Sequence, residues 1–127
     1  MILWGSKKQE LVTLSTAESK YVAATHATKE ALWLRHLIGE MFRPLTQPTT
    51  LFGNNQSAIA LTLYGSYHAH MKHIDICYHF IHFIVEDGSI RFLYCPMNDM
   101  VADTPSKALS SIKAKHFAQE LGLHPLV

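Results

Sequence analysis

The ten residues LFGNNQSAIA, Leu51–Ala60, pass from a β-prone run through a turn into a helix, and this order indicates the fold class. The run begins at Thr49, and its β-branched and aromatic side chains favour a strand over Thr49–Phe52 that Gly53 ends. Asn54 follows in a Gly-Asn turn, and the pattern after it predicts a short helix over residues 56–63. A strand that leads directly into a helix is typical of α/β proteins.

The segments on either side continue the alternation of strands and helices. No repeat, low-complexity tract or long linker interrupts the chain, so we expect one domain. Before Leu51–Ala60, the pattern predicts a strand over Ile2–Ser6 and a helix from the Ser15-Thr16-Ala17-Glu18 capping box to about Met41. After it, the pattern predicts a loop over Tyr64–His70, an amphipathic helix over Lys72–Glu86 and a strand over Ser89–Cys95. A last helical region is opened by Asp103 or Thr104 and has Gly122 as its C-cap.

Composition limits the classes of function. The chain has 127 residues and a net charge of +1, with 11 Lys+Arg against 10 Asp+Glu, whereas proteins that grip many phosphates usually carry a clear basic surplus. We therefore expect weak binding to nucleic acid at most. No apolar run is long enough to span a membrane, and the first ten residues do not resemble a signal peptide. Cys77 and Cys95 are predicted to be buried free thiols in a reducing, intracellular compartment, either cytoplasm or nucleus.

Seven phrases of the chain resemble the ribonuclease H domain that ends the polyprotein of copia-type retrotransposons. They occur in the family's order and at family-like spacing along nearly the whole chain. The resemblance implies an α/β, ribonuclease H-like fold with flanking helices, present over residues 1–127 as a single partial domain. The sheet would be incomplete, because the family's first two strands would precede Ile2. The phrases are ILWGSKKQ, LSTAESKYVA, ALWLRHLI, NNQSAIAL, HAHMKHIDICYHFIHFIVEDGSI, YCPMNDMVADTPSKAL and LGL.

The resemblance assigns three positions of a four-carboxylate site. Glu18 matches the second carboxylate and Asp103 the fourth, so these two are the expected metal ligands. Asn54 stands at the position of the third, and the first Asp would lie on a strand that this chain does not have. Two divalent ions about 3.5–4 Å apart need anionic ligands to offset their charge, and a neutral amide oxygen offers a weaker field than a carboxylate.

The ancestral activity that the resemblance implies is metal-dependent cleavage of RNA in RNA–DNA hybrids. With only two of the four carboxylates, we expect that this activity is lost and that the domain serves as an interaction or weak nucleic-acid-binding module. The alternative is an active divalent-metal-dependent nuclease whose site is rebuilt or shared between subunits. Mg²⁺ or Mn²⁺ would be its cofactor if the site is active, and otherwise no cofactor is expected.

The same residues also have structural explanations that require no chemistry. Glu18 is the reciprocal residue of a capping box, and Asp103 can be a helix N-cap. His79 and His82 lie three residues apart on one predicted helix face, so a metal ion could bridge them. A solvated polar face is the simpler interpretation of that pair, and His68, His70 and His73 form the other dense group of histidines.

Two expectations concern partners. Lys7, Lys8 and Lys72 are the candidate contacts to a phosphate backbone, with an RNA–DNA hybrid or other nucleic acid as a weak partner. A sheet without its first two strands leaves exposed edges and an uncovered apolar face. We therefore expect self-association, strand exchange, or direct pairing between Ile2–Ser6 and Thr49–Phe52. No membrane partner is expected.

Overall fold

A computed structural model describes residues 3–63 and 72–125, except for the side chains of Lys72 and His73. Two compact units divide the chain: the larger is Gln9–Cys95, and the smaller combines residues 1–8 with Pro96–Val127. The larger unit contains α1 (Thr16–Met41), β1 (Thr49–Gly53), α2 (Gln56–Leu63), α3 (Lys72–Glu86) and β2 (Ile90–Tyr94), and the smaller contains two short 3-10 turns (Met97–Asp99 and Val101–Asp103) and α4 (Ser111–Glu120).

Helix α1 begins and ends at the residues that the sequence predicts. Ser15 is its N-cap, and the Ser15 hydroxyl accepts a hydrogen bond of 3.1 Å from the Glu18 N–H. At the other end, the Phe42 N–H donates to the Ile38 carbonyl at 2.9 Å, and Pro44 follows two residues later, where the helix cannot continue. The capping signal and the proline therefore set both ends of the helix.

The core of the larger unit lies between the helices and one face of a small sheet. Strands β1 and β2 pair in parallel, with Thr49 opposite Ile90 and Gly53 opposite Tyr94, and α2 and α3 connect them. Burial alternates along β2, where Ile90 and Phe92 are buried and the residues between and after them are exposed. The buried cluster consists of Tyr21, Ala31, Ile81, Ile84, Ile90 and Phe92.

Two glycines adopt the left-handed conformations expected of them. Gly88, with a φ of 78°, turns the chain from α3 into β2, as the Asp-Gly pair predicts. Gly122, with a φ of 70°, follows α4, and its N–H donates to the Gln119 carbonyl at 2.9 Å. The Leu123 N–H donates to the Ala118 carbonyl at 2.9 Å, which completes a Schellman motif and confirms the predicted C-cap.

One predicted strand is wrong. Residues 3–6 form no strand, and Ile2 lies outside the described residues, so the sheet of the described chain has two strands rather than three. Direct pairing of that segment with β1 is accordingly not observed in the described residues. Strand formation depends on a partner edge, and a short apolar run cannot indicate whether that partner exists. The predicted loop over residues 64–70 lies outside the described residues.

The last helix begins later than predicted. Asp103 ends a 3-10 turn instead of opening the helix, and α4 begins at Ser111. Its N-cap is Ser110, whose hydroxyl accepts a hydrogen bond of 3.4 Å from the Lys113 N–H. The remaining predicted elements are confirmed: α2 and α3 have the predicted bounds, β1 gains Gly53, and β2 is one residue shorter at each end.

In the part of the chain that the structure describes, no helix has the length and apolar character needed to cross a membrane. Cys77 and Cys95 are both half-buried, which corrects the expectation of buried thiols.

Candidate functional site

Glu18 lies in the first turn of α1, where its carboxylate takes part in the cap. Oε2 of Glu18 accepts a hydrogen bond of 2.7 Å from the Leu14 N–H. In a standard capping box this bond comes from the N-cap residue itself, so the carboxylate reaches one residue further back than predicted. A negative charge here is also favoured by the positive end of the helix dipole. The structural role predicted for Glu18 is therefore observed, with Leu14 as the donor in place of Ser15.

Asn54 lies directly after β1, and it is the adjacent Asn55 that forms the hydrogen bond capping the next helix. The Asn55 side-chain oxygen accepts a hydrogen bond of 2.8 Å from the Ala58 N–H, which makes Asn55 the cap of α2. Asn54 is half-buried at the carboxyl end of the strand. Ligand-binding groups of α/β proteins commonly lie at the carboxyl ends of strands. The sequence interpretation assigned the turn to Gly53 and Asn54 and missed Asn55, although Asn is a preferred N-cap residue.

Asp103 belongs to the smaller unit and is not an N-cap. Its Oδ2 atom forms an ion pair of 2.9 Å with Lys107 Nζ, and its carbonyl accepts hydrogen bonds from the N–H groups of Ser106 at 3.1 Å and Lys107 at 2.9 Å. The Lys107 side chain is 48% exposed and the Asp103 side chain 16% exposed. A pair with one exposed partner contributes about 0.3–0.5 kcal/mol at most after solvent screening. The capping role predicted for Asp103 is therefore wrong, and its contribution to local structure is small.

The three predicted site positions occupy separate local structures. Glu18 and Asn54 lie in the larger unit, at the start of α1 and the end of β1, and Asp103 lies in the smaller unit. Within the described part of either unit, no three His, Cys, Asp or Glu side chains are grouped closely enough to hold a metal ion. Within the larger unit, Glu18 is bonded to a backbone N–H and Asn54 offers a neutral amide oxygen, which is a poor ligand set for two divalent ions. The assignment of Glu18 and Asp103 as metal ligands stays a prediction.

His79 and His82 have different environments on α3. His79 is exposed, and its ring stands edge-on to Tyr78 with the centroids 5.6 Å apart. The His82 Nε2 atom lies 3.0 Å from the Leu61 carbonyl oxygen and donates a hydrogen bond to it, which joins α3 to α2. That nitrogen carries a proton in this arrangement and cannot bind a metal ion at the same time. The His82 ring also lies 4.3 Å from that of Tyr78, so its role here is structural.

The candidate nucleic-acid contacts are only partly described. Lys7 and Lys8 precede α1 in a segment without regular secondary structure, and both are exposed. Lys72 begins α3, but its side chain lies outside the described residues, as do His68, His70 and the side chain of His73. Arg91 is exposed on β2, and its Nε donates to the Thr50 hydroxyl at 2.6 Å across the sheet. Nucleic-acid binding by the lysines stays a prediction.

Tyr21 carries an unusual polar group in the core. The residue is 2% exposed, and among the described residues its hydroxyl has no hydrogen-bond partner. Burial raises the pKa of the Tyr21 phenol above its ordinary value, and the neighbouring Tyr78 and Cys77 raise it further. The hydroxyl is therefore protonated at neutral pH and costs stability instead of serving as a base.

Arg35 is a second residue whose role the sequence interpretation missed. Its guanidinium donates to the carbonyl oxygens of Leu45 at 3.1 Å and Gln47 at 2.8 Å, and to the Thr49 hydroxyl at 2.7 Å. These bonds fasten the connector after α1 and bring the first residue of β1 to the helix. The only sequence signal was an arginine within the apolar phrase ALWLRHLI, which does not identify its acceptors.

Segments of several proteins are similar to this chain, and three of them match almost its whole length. They are the retrovirus-related Pol polyproteins from transposon RE1 (35% identity over 122 residues) and transposon RE2 (33% over 122 residues), both of Arabidopsis thaliana, and from transposon TNT 1-94 of Nicotiana tabacum (38% over 124 residues). The alignments cover 96–97% of this chain but only 8–9% of each polyprotein. No protein-family model matches the chain, and no solved structure matches it. The similarity supports a retrotransposon origin, and the ribonuclease H part of the resemblance stays a prediction.

Proposed function

We propose that this chain is a ribonuclease H-like domain of retroelement origin that no longer cleaves RNA–DNA hybrids and serves as an interaction or weak nucleic-acid-binding module. The origin is supported by three Pol polyproteins that are 33–38% identical over nearly the whole chain. The ribonuclease H assignment rests on the ordered phrases of the sequence. The α/β order of the larger unit and the position of Asn54 at the carboxyl end of β1 are compatible with it.

Asn54 is the observation on which the loss of catalysis rests. An amide in place of a carboxylate removes one negative charge and one good ligand oxygen from a site that must offset about four positive charges. The ion pair between Asp103 and Lys107 matters less, because a divalent ion could displace a contact worth at most about 0.5 kcal/mol. The negative charge that Asn54 lacks is not supplied by its neighbours, because the described larger unit contains no cluster of three metal-binding side chains.

The second candidate function is an active divalent-metal-dependent nuclease with a rebuilt or shared site. It is favoured by the retention of carboxylates at Glu18 and Asp103. A second subunit would then have to contribute the missing carboxylates.

Cleavage of an end-labelled RNA–DNA hybrid tests both functions. We expect no metal-dependent product from the folded protein with Mg²⁺ or with Mn²⁺. The variants Glu18→Ala and Asp103→Ala are assayed in parallel, together with Asn54→Asp, which restores the charge. Metal-dependent cutting that both alanine variants abolish would refute the proposal and establish the nuclease. Circular dichroism of each variant shows that a negative result comes from folded protein.

Binding is measured on the same hybrid by fluorescence anisotropy over a range of salt concentrations. Each phosphate contact contributes a slope of about −0.9 to log K against log salt, so Lys8→Ala should make the slope shallower by about that amount. Lys29→Ala is the matched control, because the Lys29 ammonium lies over the Phe80 ring at 5.7 Å and is not a predicted contact. Equal effects of the two variants would contradict the assignment of Lys8.

A further inference from the structure

Strand β1 has one unpaired edge in the described sheet. The Thr49 N–H donates to the Ser89 carbonyl at 2.9 Å, and the Gly53 carbonyl accepts from the Cys95 N–H at 2.8 Å, so residues 49, 51 and 53 direct their backbone groups towards β2. Backbone groups alternate in direction along a strand, so those of Thr50 and Phe52 point the other way. Among the described residues, β1 has β2 as its single strand neighbour.

Nothing in the strand itself discourages pairing at this edge. Natural edge strands are commonly protected by lysines, prolines or bulges, and TTLFG contains no charged residue and no proline. The two cations beside it are bonded within the chain. Arg35 Nη1 donates to the Thr49 hydroxyl at 2.7 Å, and Arg91 Nε donates to the Thr50 hydroxyl at 2.6 Å. A second strand approaching this edge therefore meets no charged side chain of β1 itself. The two arginines keep their positive charge, and these bonds hold their guanidinium groups at neutral acceptors within the chain.

The outer face of the sheet carries an exposed apolar pair beside the polar pair Thr50 and Arg91. Phe52 is 62% exposed, and its register partner Leu93 is 44% exposed. Parallel sheets are normally covered on both faces, and two strands are fewer than an independently stable sheet requires. The exposed pair is therefore apolar surface that further strands would extend and partly bury.

We propose that a second copy of this chain pairs with the free edge of β1, antiparallel to it, about a two-fold axis at Leu51. In this register Thr50 faces Phe52 of the second copy, and Phe52 faces Thr50. The outward N–H and C=O groups of these residues then form four hydrogen bonds. Each cross-strand pair joins a β-branched to an aromatic side chain, which is a favourable combination.

The surface is self-complementary, as a two-fold interface requires. The strand is uncharged and the net charge of the chain is +1, so two copies meet little electrostatic repulsion. The product is a four-stranded sheet in the order β2-β1-β1-β2. This inference does not depend on the proposed function, because it uses only the geometry of the sheet.

The association should be weak. An edge of five residues spans about 17 Å, whereas standard stable interfaces bury about 800 Å² on each partner. We expect a dissociation constant on the order of 10–100 µM. Sedimentation equilibrium of the full chain between about 1 and about 500 µM should then show the mass rise from monomer to dimer.

Two matched variants test whether the edge is responsible. Phe52→Lys places a charge on the edge strand and should weaken association at least about tenfold. Ile112→Lys makes the same change at an 84% exposed residue of α4 and should leave the dissociation constant within about twofold. Equal effects of the two variants would overturn the proposal, as would a monomer at every concentration.

Amide exchange of the unmodified protein tests the register without any variant. The N–H groups of Thr50 and Phe52 should exchange more slowly as the protein concentration rises. The Leu51 N–H already faces β2, so its protection should not depend on concentration. A dimer in which the Thr50 and Phe52 amides exchange as fast as in the monomer would show that the copies associate through another surface, and the proposal would be wrong.

Discussion

Tyr21→Phe should stabilise this protein. The substitution removes a hydroxyl that is buried in the core and has no hydrogen-bond partner among the described residues, while the aromatic ring keeps its packing. An unsatisfied buried hydroxyl destabilises the folded state by about 1–3 kcal/mol. Removing the oxygen also removes its van der Waals contacts, which offsets part of the gain in stability. We expect the free energy of unfolding to rise by about 1 kcal/mol, which corresponds to a melting temperature about 3 °C higher.

The same hydroxyl predicts how stability depends on alkaline pH. Burial raises the pKa of Tyr21 in the folded state, so the unfolded chain releases this proton near its ordinary value of about 10 while the folded chain retains it. The folded state therefore binds more protons above that pH, and its stability falls as the pH rises. This contribution reaches at most about 1.4 kcal/mol per pH unit, and it is absent from Tyr21→Phe.

Urea denaturation followed by circular dichroism, at neutral pH and between about pH 9 and 11, measures both effects. Tyr94→Phe is the control, because it removes a hydroxyl from a residue that is 47% exposed and should change stability by less than about 0.5 kcal/mol. A Tyr21→Phe protein clearly less stable than the parent would mean that the hydroxyl has a favourable partner. Parallel loss of stability in both proteins above pH 10 would refute the assignment of the alkaline effect to Tyr21.

Two further substitutions test the local structure that positions the candidate site. Asn55→Ala removes the cap of α2 and should lower the free energy of unfolding by about 1 kcal/mol in thermal denaturation, whereas Asn54→Ala should change it by less than about 0.5 kcal/mol. The reverse order would assign the cap to Asn54. A Cβ at Gly122 or at Gly5 meets no atom within 4 Å, so only the backbone conformation distinguishes the two positions. Gly122→Ala should cost about 1–2 kcal/mol because of its φ of 70°, whereas Gly5→Ala should be nearly neutral. Equal costs at the two glycines would contradict the conformational explanation.

The helix and turn predictions succeeded where the signal is local. The capping sequence at Ser15, the proline at Pro44, the apolar period of α3 and the glycine at Gly122 each act within a few residues of their own position. The last helix shows the limit of such signals. Asp103 and Ser110 are both acceptable N-cap residues, and only the hydrogen bond from the Lys113 N–H to the Ser110 hydroxyl shows that Ser110 has the role.

The resemblance assigns metal-site roles to Glu18, Asn54 and Asp103, and those roles stay predictions. The sequence also predicted the helix cap that Glu18 supports, and the structure confirms that cap. The sequence did not indicate that Leu14 would be the donor to Glu18, or that Arg35 would hold the connector before β1. Those hydrogen bonds involve backbone N–H and C=O groups, which nearly every residue carries. The residue type alone therefore does not indicate which of them is the partner.

The sequence alone therefore determined the α/β order of the larger unit and the bounds of α2 and α3, because these depend on residue type and short-range pattern. Only the tertiary structure decided that residues 3–6 form no strand and that the described sheet has two strands. A strand exists only when another edge satisfies its backbone hydrogen bonds. For the same reason, the unpaired groups of Thr50 and Phe52 became visible only once the register of β1 and β2 was known.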